Sequence, residues 1–333
     1  MEFRRERIRA RILDPRSGHR PVSLPLEVRW DPLTGHSSRL LPSAALLPTP
    51  SFDLKPLSEV TRKGCPFCSD RVEEATPTFP EEIAPQGRFR KGEAILFPNL
   101  LPYAKYSSVA VYSAALHSIP LGELSPRLVA DNLAVQVDFD RTVMRVDPQA
   151  RWASINANYL PPSGSSVFHP HTQGMVNPTP TNAQRLLAHV PAERFREYLG
   201  AERREGVRYL GSTGEVEWIT GFAPIGPAEI RAFVPGIASP AELSDDLTEE
   251  LAFGISTGMG LYAQLGFNSY NLAVYGAPLG TPGYPLNLRI VRRANVEDLY
   301  RSDVTWLERL HSEAAVDIMP EELAEQAGAR FRK

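Results

Sequence analysis

Three long stretches of the chain show regular patterns of apolar and polar positions. Residues 94–115, AILFPNLLPYAKYSSVAVYSAA, contain apolar runs rich in β-branched and aromatic residues, which predicts strands. Residues 123–146, ELSPRLVADNLAVQVDFDRTVMRV, carry apolar residues at helical spacing behind Ser125-Pro126, a typical helix start. Residues 152–178, WASINANYLPPSGSSVFHPHTQGMVNP, predict a strand, a Gly/Ser loop and a second strand. The first half of the chain is therefore predicted to mix strands with a long helix.

The second half of the chain repeats this order of elements. Residues 217–266 lead from an apolar strand through a Pro/Gly break to a second strand and a helix, and Glu-Leu-Ser precedes the helix at both 123–125 and 242–244. Residues 267–293 again predict strand, Gly-rich loop and strand. We interpret the repeat as an ancestral duplication. In this alignment Leu286 and Leu288 of the second copy stand where the first has His169 and His171.

Composition and charge place the chain among ordinary globular proteins. Its 333 residues are 42% hydrophobic and 23% charged, with a formal net charge of -3. This balance requires no nucleic-acid or membrane partner. We find no apolar run of roughly 18 residues and no secretory leader in the charged N-terminal stretch MEFRRERIRARI. A cytoplasmic location is the expectation.

A pair of histidines separated by one proline is the most distinctive chemical feature. In a strand, alternate residues share a face, so His169, His171 and Gln173 are predicted to line one surface. Gly164, Ser165 and Ser166, just before them, can supply backbone N–H groups and hydroxyls to a phosphate. The alternative is a polar turn with two incidental histidines.

Two chemistries use such a pair. In metal hydrolysis both histidines bind one ion and acidic ligands follow, but Gln173 occupies a place that usually carries an aspartate. In covalent nucleotidyl transfer a neutral imidazole attacks phosphorus, and the phosphoramidate passes the nucleotidyl group to a second acceptor. A nearby side-chain amide can contact the phosphoryl oxygens in both steps.

The motif GSSVFHPHTQ resembles the active-site strand of the galactose-1-phosphate uridylyltransferase family, which belongs to the histidine-triad superfamily and carries G-x-S-x-x-H-P-H-x-Q. Four further segments resemble that family in the same order along the chain. These are DPLTG, GCPFC, FPNLLPY and LHSIPLGELSP. Together the five motifs cover roughly residues 30 to 175.

The resemblance implies a zinc site. By position in the family pattern, two thiolates and two imidazoles would form a closed, structural tetrahedral site, and the four ligands would be Cys65, Cys68, His117 and His169. The chain has two cysteines, and their C-x-x-C spacing suits a metal or a redox pair. Buried thiols without a metal are the alternative.

The resemblance also implies roles for the residues around the histidine pair. His171 would be the nucleophile, and Gln173 and Ser166, with Gly164 beside them, would contact the α-phosphate. Asn158 would lie beside the nucleophile and Asn99 near the ribose or base. Asn156 competes with Asn158 for its role. A capping role in a loop is the alternative for each asparagine.

The fold implied by the resemblance is α+β. It has two histidine-triad-like halves, each with an antiparallel sheet and helices packed on it. We expect residues 1–185 to form the half with zinc and nucleophile, and residues 186–333 to form a degenerate second half. A homodimer is also expected.

The expected activity is transfer of a nucleoside monophosphate between a nucleoside diphosphate sugar and a sugar-1-phosphate through a nucleotidyl-histidine intermediate, with a role in galactose metabolism. Ala315 replaces the family's glutamine for the sugar phosphate, which questions hexose-1-phosphate specificity. An ADP-sugar or dinucleoside polyphosphate phosphorylase, with phosphate as acceptor, is therefore an alternative. A non-catalytic nucleotide-binding protein and a zinc hydrolase are alternatives of other classes.

Overall fold

The computed structural model describes residues 1–42, 52–297 and 302–332, which form a large sheet, a small sheet and eight helices within those ranges. The strands are β1 (Arg5–Asp14), β2 (Arg20–Trp30), β3 (Ser37–Leu40), β4 (Phe89–Lys91), β5 (Ala94–Pro98), β6 (Tyr106–Val111), β7 (Trp152–Tyr159), β8 (His171–Asn177), β9 (Tyr209–Thr213), β10 (Val216–Thr220), β11 (Ile230–Val234), β12 (Tyr270–Tyr275), β13 (Leu286–Arg292) and β14 (Ala314–Val316). The helices are α1 (Lys55–Arg62), α2 (Val72–Ala75), α3 (Pro126–Val146), α4 (Asn182–Ala188), α5 (Ala192–Glu205), α6 (Asp245–Gln264), α7 (Trp306–His311) and α8 (Pro320–Ala327). Within the described ranges, no helix combines the length and apolarity that crossing a bilayer requires.

The large sheet shows the internal repeat directly. Its ten strands run in the order β4-β5-β6-β8-β7-β12-β13-β11-β10-β9, and all neighbours are antiparallel. Read from either edge towards the central β7–β12 pair, the two halves have the same strand order. The predicted α+β fold is confirmed, and the two half-sheets join into one. The division into residues 1–185 and 186–333 stays a prediction.

Matching helices cover one face of this sheet. Ser125 caps α3 by accepting a hydrogen bond from the Leu128 N–H, and Ser244 caps α6 in the same way through Leu247. Proline in the first turn of α3 is favoured because its missing N–H has no partner there in any helix. The helix start predicted at Ser125-Pro126 is therefore confirmed, and its repeat in the second half begins a helix as well.

Strand alternation decides which residues face away from the helices. On β8, Thr172 bonds to Asn132 of α3, so its neighbours His171 and Gln173 point to the opposite face. On β13, Leu286 and Leu288 pack in the core with α6 residues Ile255 and Met259. The expectation that these leucines take the places of His169 and His171 is therefore wrong, because they lie on the helix-covered face. Asn287 and Arg289 occupy the other face of β13.

A buried ionic cluster ties the small sheet to the second half of the large one. The small sheet has the order β1-β2-β3-β14, with β14 parallel to β3. In the DPLTG turn after β2, one oxygen of Asp31 accepts hydrogen bonds from the Leu33 and Thr34 N–H groups. Its other oxygen pairs with Arg231 at 2.9 Å and Arg289 at 3.3 Å. Burial opposes the charge on Asp31, but the two guanidinium groups outweigh burial and lower its pKa.

We expect Asp31→Asn to lower the free energy of unfolding by about 3–5 kcal/mol, because it leaves the Arg231 guanidinium in the core without its counter-charge and leaves Arg289 with Glu229 alone. Urea titration followed by circular dichroism measures the change. Arg196→Ala is the matched control. It breaks an ion pair to Glu193 in which both side chains are about 70% exposed, and we expect a change within about 0.5 kcal/mol. Equal unfolding midpoints for the two variants would show that the Asp31 cluster does not stabilise the fold.

Candidate metal centre and active site

Four side chains converge at one end of the first half-sheet. Cys65 and Cys68 lie just beyond α1, His117 lies in the loop after β6, and His169 precedes β8. The candidate ligand atoms of all four lie within 4.8 Å of one another, and all four residues are buried. The structure therefore brings together the four residues that the motifs predicted as metal ligands.

The distances within this cluster fit a tetrahedral ion. Sulfur-to-Nδ1 distances are 3.4 Å for Cys68–His117 and 3.7 Å from each cysteine to His169. Sulfur and nitrogen bound to one zinc at about 2.3 and 2.1 Å would lie about 3.6 Å apart on a tetrahedron. The donor set and its spacing thus suit Zn²⁺.

Hydrogen bonds from the rest of the chain orient both imidazoles. The Nε2 of His169 lies 2.9 Å from the Ser113 carbonyl oxygen, which can only accept, so this nitrogen carries the proton. The Nε2 of His117 lies 3.1 Å from the Thr61 hydroxyl. In both rings Nδ1 is left to face the sulfurs, as in metal sites where an outer partner fixes the tautomer. Sequence reasoning missed Ser113 and Thr61, because neither belongs to a motif.

Burial disfavours a charge on Cys68 and on His169. It raises the pKa of the Cys68 thiol to about 11, with nearby Cys65 adding to the shift, and it lowers the pKa of His169 to about 4. Thiolates at this depth need a cation to offset the loss of hydration. The cluster is therefore chemically suited to a divalent metal and poorly suited to isolated reactive thiols.

His171 begins β8 with one ring nitrogen engaged. Its Nδ1 lies 2.8 Å from the carbonyl oxygen of His169 and so donates its proton there. The other nitrogen, Nε2, then carries the lone pair. Burial lowers the pKa of His171, while the backbone hydrogen bond offsets part of that shift, so the neutral ring is favoured. Phe67, from the C-x-x-C segment, packs edge-on against the ring with centroids 5.3 Å apart.

Gln173 and the two asparagines of β7 lie on the same face as His171. Asn156 pairs with Gln173 across the ladder, and its Nδ2 donates to Ser154 Oγ at 3.1 Å and to the Gln173 carbonyl at 3.3 Å. Asn158 is two residues further along β7, towards the His171 end of β8. Its Oδ1 accepts a hydrogen bond from Asn271 of β12 at 2.6 Å. The second half of the chain therefore contacts this site, through a residue that no motif indicated.

The loop between β7 and β8 carries the remaining predicted phosphate contacts. Gly164 has a φ of +94°, a conformation that favours glycine, and Ser166 beside it is exposed. The Ser165 hydroxyl donates instead to the Val167 carbonyl at 2.6 Å. Asn99 follows β5, and its buried Nδ2 has no hydrogen-bond partner within the described part of the chain. A buried donor without a partner is a candidate contact for a ligand.

Comparison with known sequences identifies a relative of this chain. No protein-family model matches the chain. An uncharacterised protein from Archaeoglobus fulgidus is 32% identical in an alignment of 334 positions that covers 98% of each chain.

Two groups of solved structures share the architecture. An ADP-glucose phosphorylase from Arabidopsis thaliana, solved with bound ADP-glucose, has a TM-score of 0.67 at 19% identity and covers 91% of this chain and 98% of its own. A uridylyltransferase has a TM-score of 0.60, also at 19% identity, with 91% and 98% covered. The chain therefore belongs to one family with the Archaeoglobus fulgidus protein, and its fold is that of the galactose-1-phosphate uridylyltransferases and ADP-glucose phosphorylase, as its motifs predicted.

Proposed function

We propose that the chain is a nucleotidyltransferase that forms a covalent intermediate on His171. The observation that supports this most directly is the hydrogen bond from His171 Nδ1 to the His169 carbonyl, because it leaves a neutral Nε2 lone pair on a ring that lies on the sheet face away from the helices. Such a nitrogen can act as a nucleophile without losing a proton first. We further propose a nucleoside diphosphate sugar as the donor and a sugar-1-phosphate or phosphate as the acceptor.

The proposed reaction has two displacements. The Nε2 lone pair attacks the α-phosphorus, the bond to the bridging oxygen breaks, and the leaving sugar-1-phosphate takes the electron pair. An oxygen of the acceptor then attacks the same phosphorus, and the P–Nε2 bond breaks. Throughout, Nδ1 keeps its proton, and the His169 carbonyl stabilises the positive charge that the substituted ring carries.

The surrounding residues would bind and orient the donor. Gln173, Ser166 and the backbone of Gly164 would contact the α-phosphate, and the unpartnered Asn99 Nδ2 would bind the ribose or base. Cys65, Cys68, His117 and His169 would hold zinc. When bound, zinc supplies a structural cross-link, not a reactive water, because four protein ligands fill a tetrahedral site.

A phosphorylase that uses free phosphate is the second candidate. Ala315, on β14, has a methyl group where the family pattern has the glutamine for the sugar phosphate, and a small acceptor needs fewer such contacts. The solved ADP-glucose phosphorylase with this fold is consistent with that candidate.

Intact-mass measurement tests the covalent intermediate. We expect incubation with UDP-glucose, ADP-glucose or a dinucleoside polyphosphate, each tried separately, to add one UMP or AMP group to the chain. His171→Asn should abolish the adduct because it removes the nucleophile. His189→Asn, at an exposed helix end, should leave it unchanged. No adduct with any donor would contradict the proposal, and nucleotide binding without an adduct would favour a non-catalytic binding protein.

The acceptor is tested on the isolated adduct. Phosphate and hexose-1-phosphates are added separately, and release of the nucleotidyl group is followed by mass. We expect phosphate to discharge the adduct at least tenfold faster if the missing glutamine decides specificity. Faster discharge by a hexose-1-phosphate would assign the uridylyltransferase-like reaction instead.

Metal content tests the zinc site. We expect about one zinc per chain in the purified protein and less than about a fifth of that in Cys68→Ser, because a hydroxyl is a poor replacement for a thiolate ligand. Ser69→Ala, at the exposed neighbouring position, is the control and should retain the metal. Elemental analysis by mass spectrometry gives the ratio. Equal zinc content in the two variants would exclude this cluster as the site, and rapid loss of activity on chelation without an adduct would favour a zinc hydrolase.

A further inference from the structure

A chain of polar contacts runs from the second half of the chain to Asn158. Arg293, just beyond β13, donates from Nη1 to Asn271 Oδ1 at 2.5 Å. Asn271 Nδ2 in turn lies 2.6 Å from Asn158 Oδ1 and 3.0 Å from the Ser163 carbonyl oxygen. We call Arg293, Asn271 and Asn158 the amide relay.

Groups of fixed polarity at both ends determine how the amides of the relay are oriented. A guanidinium can only donate, so the Asn271 atom facing Arg293 is the oxygen. A backbone carbonyl can only accept, so the Asn271 atom facing Ser163 is the nitrogen. That nitrogen also faces Asn158, which must therefore present its own oxygen to Asn271. The N–H groups of Asn158 are left for the opposite side.

Arg293 is itself held in place. Its Nε and Nη2 bond to Asp303 at distances of 2.7–3.1 Å, and Asp303 also accepts a hydrogen bond from the Ala294 N–H at 2.8 Å. Both side chains of this pair are only about 15% exposed. A paired carboxylate and guanidinium with little exposure fix the donor that starts the relay.

The free side of Asn158 faces the proposed phosphate loop. A Cβ placed on Gly164 would lie 3.8 Å from Asn158 Nδ2, which puts that nitrogen beside the loop that precedes His171. The same Asn271 that orients Asn158 also holds the loop, through the Ser163 carbonyl. The relay thus acts on both the loop and the amide next to it.

We propose that Asn271 and Arg293 are positioning residues that make Asn158 present an N–H donor to the phosphoryl oxygens of the bound nucleotide. This inference rests on the proposed function, because it takes a nucleotide as the ligand of the loop. With the amide reversed, the carbonyl oxygen of Asn158 would face the phosphoryl group and repel it. A hydrogen bond to a charged group is worth about ten- to hundredfold in binding or rate.

Asn271→Asp tests the relay with almost no change of shape. The new carboxylate accepts from Arg293 but cannot donate, so Asn158 must turn its N–H groups towards it and its oxygen towards the loop. We expect a ten- to hundredfold weaker affinity for AMP or UMP by titration calorimetry, and a similarly slower adduct formation at saturating donor. Asn268→Asp, whose Oδ1 accepts from the Val296 N–H and keeps that role, is the matched control and should behave as wild type.

A double-mutant cycle separates positioning from a merely structural effect. In an Asn158→Ala background, Asn271→Asp should cause a clearly smaller loss, because the residue that it orients is absent and only its contact with the Ser163 carbonyl remains. Arg293→Met should weaken AMP or UMP binding about threefold, since the Ser163 carbonyl oxygen still holds Asn271 Nδ2. Zinc content and melting temperature establish that each variant is folded. An equal loss from Asn271→Asp in both backgrounds, or no loss in either, overturns the inference.

Failure of the relay and failure of the proposed function give different results. If the wild type forms the adduct and Asn271→Asp forms it equally fast with unchanged nucleotide affinity, the relay is overturned and the transferase stands. If the wild type binds AMP or UMP without any adduct, the proposed transferase activity is overturned. The relay is then judged only by comparing the nucleotide affinities of the wild type and Asn271→Asp. Absence of AMP, UMP and inorganic phosphate binding by the wild type overturns both.

Discussion

One hydrogen bond connects the candidate metal centre to the candidate nucleophile. His171 Nδ1 donates to the backbone carbonyl of His169, whose own ring is fixed by the Ser113 carbonyl and by the sulfurs of Cys65 and Cys68. The ring that faces the metal cluster and the carbonyl that selects the tautomer of His171 therefore belong to one residue. The spacing of the His-Pro-His motif is therefore constrained. If either histidine moved by one residue, its ring would turn to the helix-covered face, or the ring facing the cysteines and the carbonyl bonded to His171 would belong to different residues.

The two halves share one architecture but carry different residues on the sheet face away from the helices. In the first half, the face of the sheet away from the helices carries His171, Gln173 and the asparagines. In the second half, the corresponding face carries Arg231 and Arg289, which the small sheet covers through Asp31. Covering charged groups there costs hydration, which the buried ion pairs offset. The second half also contacts the candidate site of the first half, through Asn271 and Asn158.

Local signals predicted much of this structure. Ser125 and Pro126 before an apolar periodic stretch predicted the start of α3, and β-branched residues predicted the strands on either side. The four candidate metal ligands were predicted from the family motifs, and the fold brings their ligand atoms within 4.8 Å of one another. The interpretation of Leu286 and Leu288 failed because strand alternation makes a one-residue error equivalent to choosing the wrong face.

The sequence by itself determined much of the strand and helix pattern and the C-x-x-C and H-P-H-x-Q spacings, because short spacings carry that information. The full set of four candidate ligands followed from the resemblance to a family. Only the tertiary structure decided which nitrogen of His171 is free, which face β13 presents, and that Asp31 pairs with a guanidinium 200 residues away. It also decided the orientation of the Asn158 amide, through Asn271 and Arg293, more than a hundred residues along the chain. These properties depend on contacts between distant segments, and no local pattern of residues specifies such contacts.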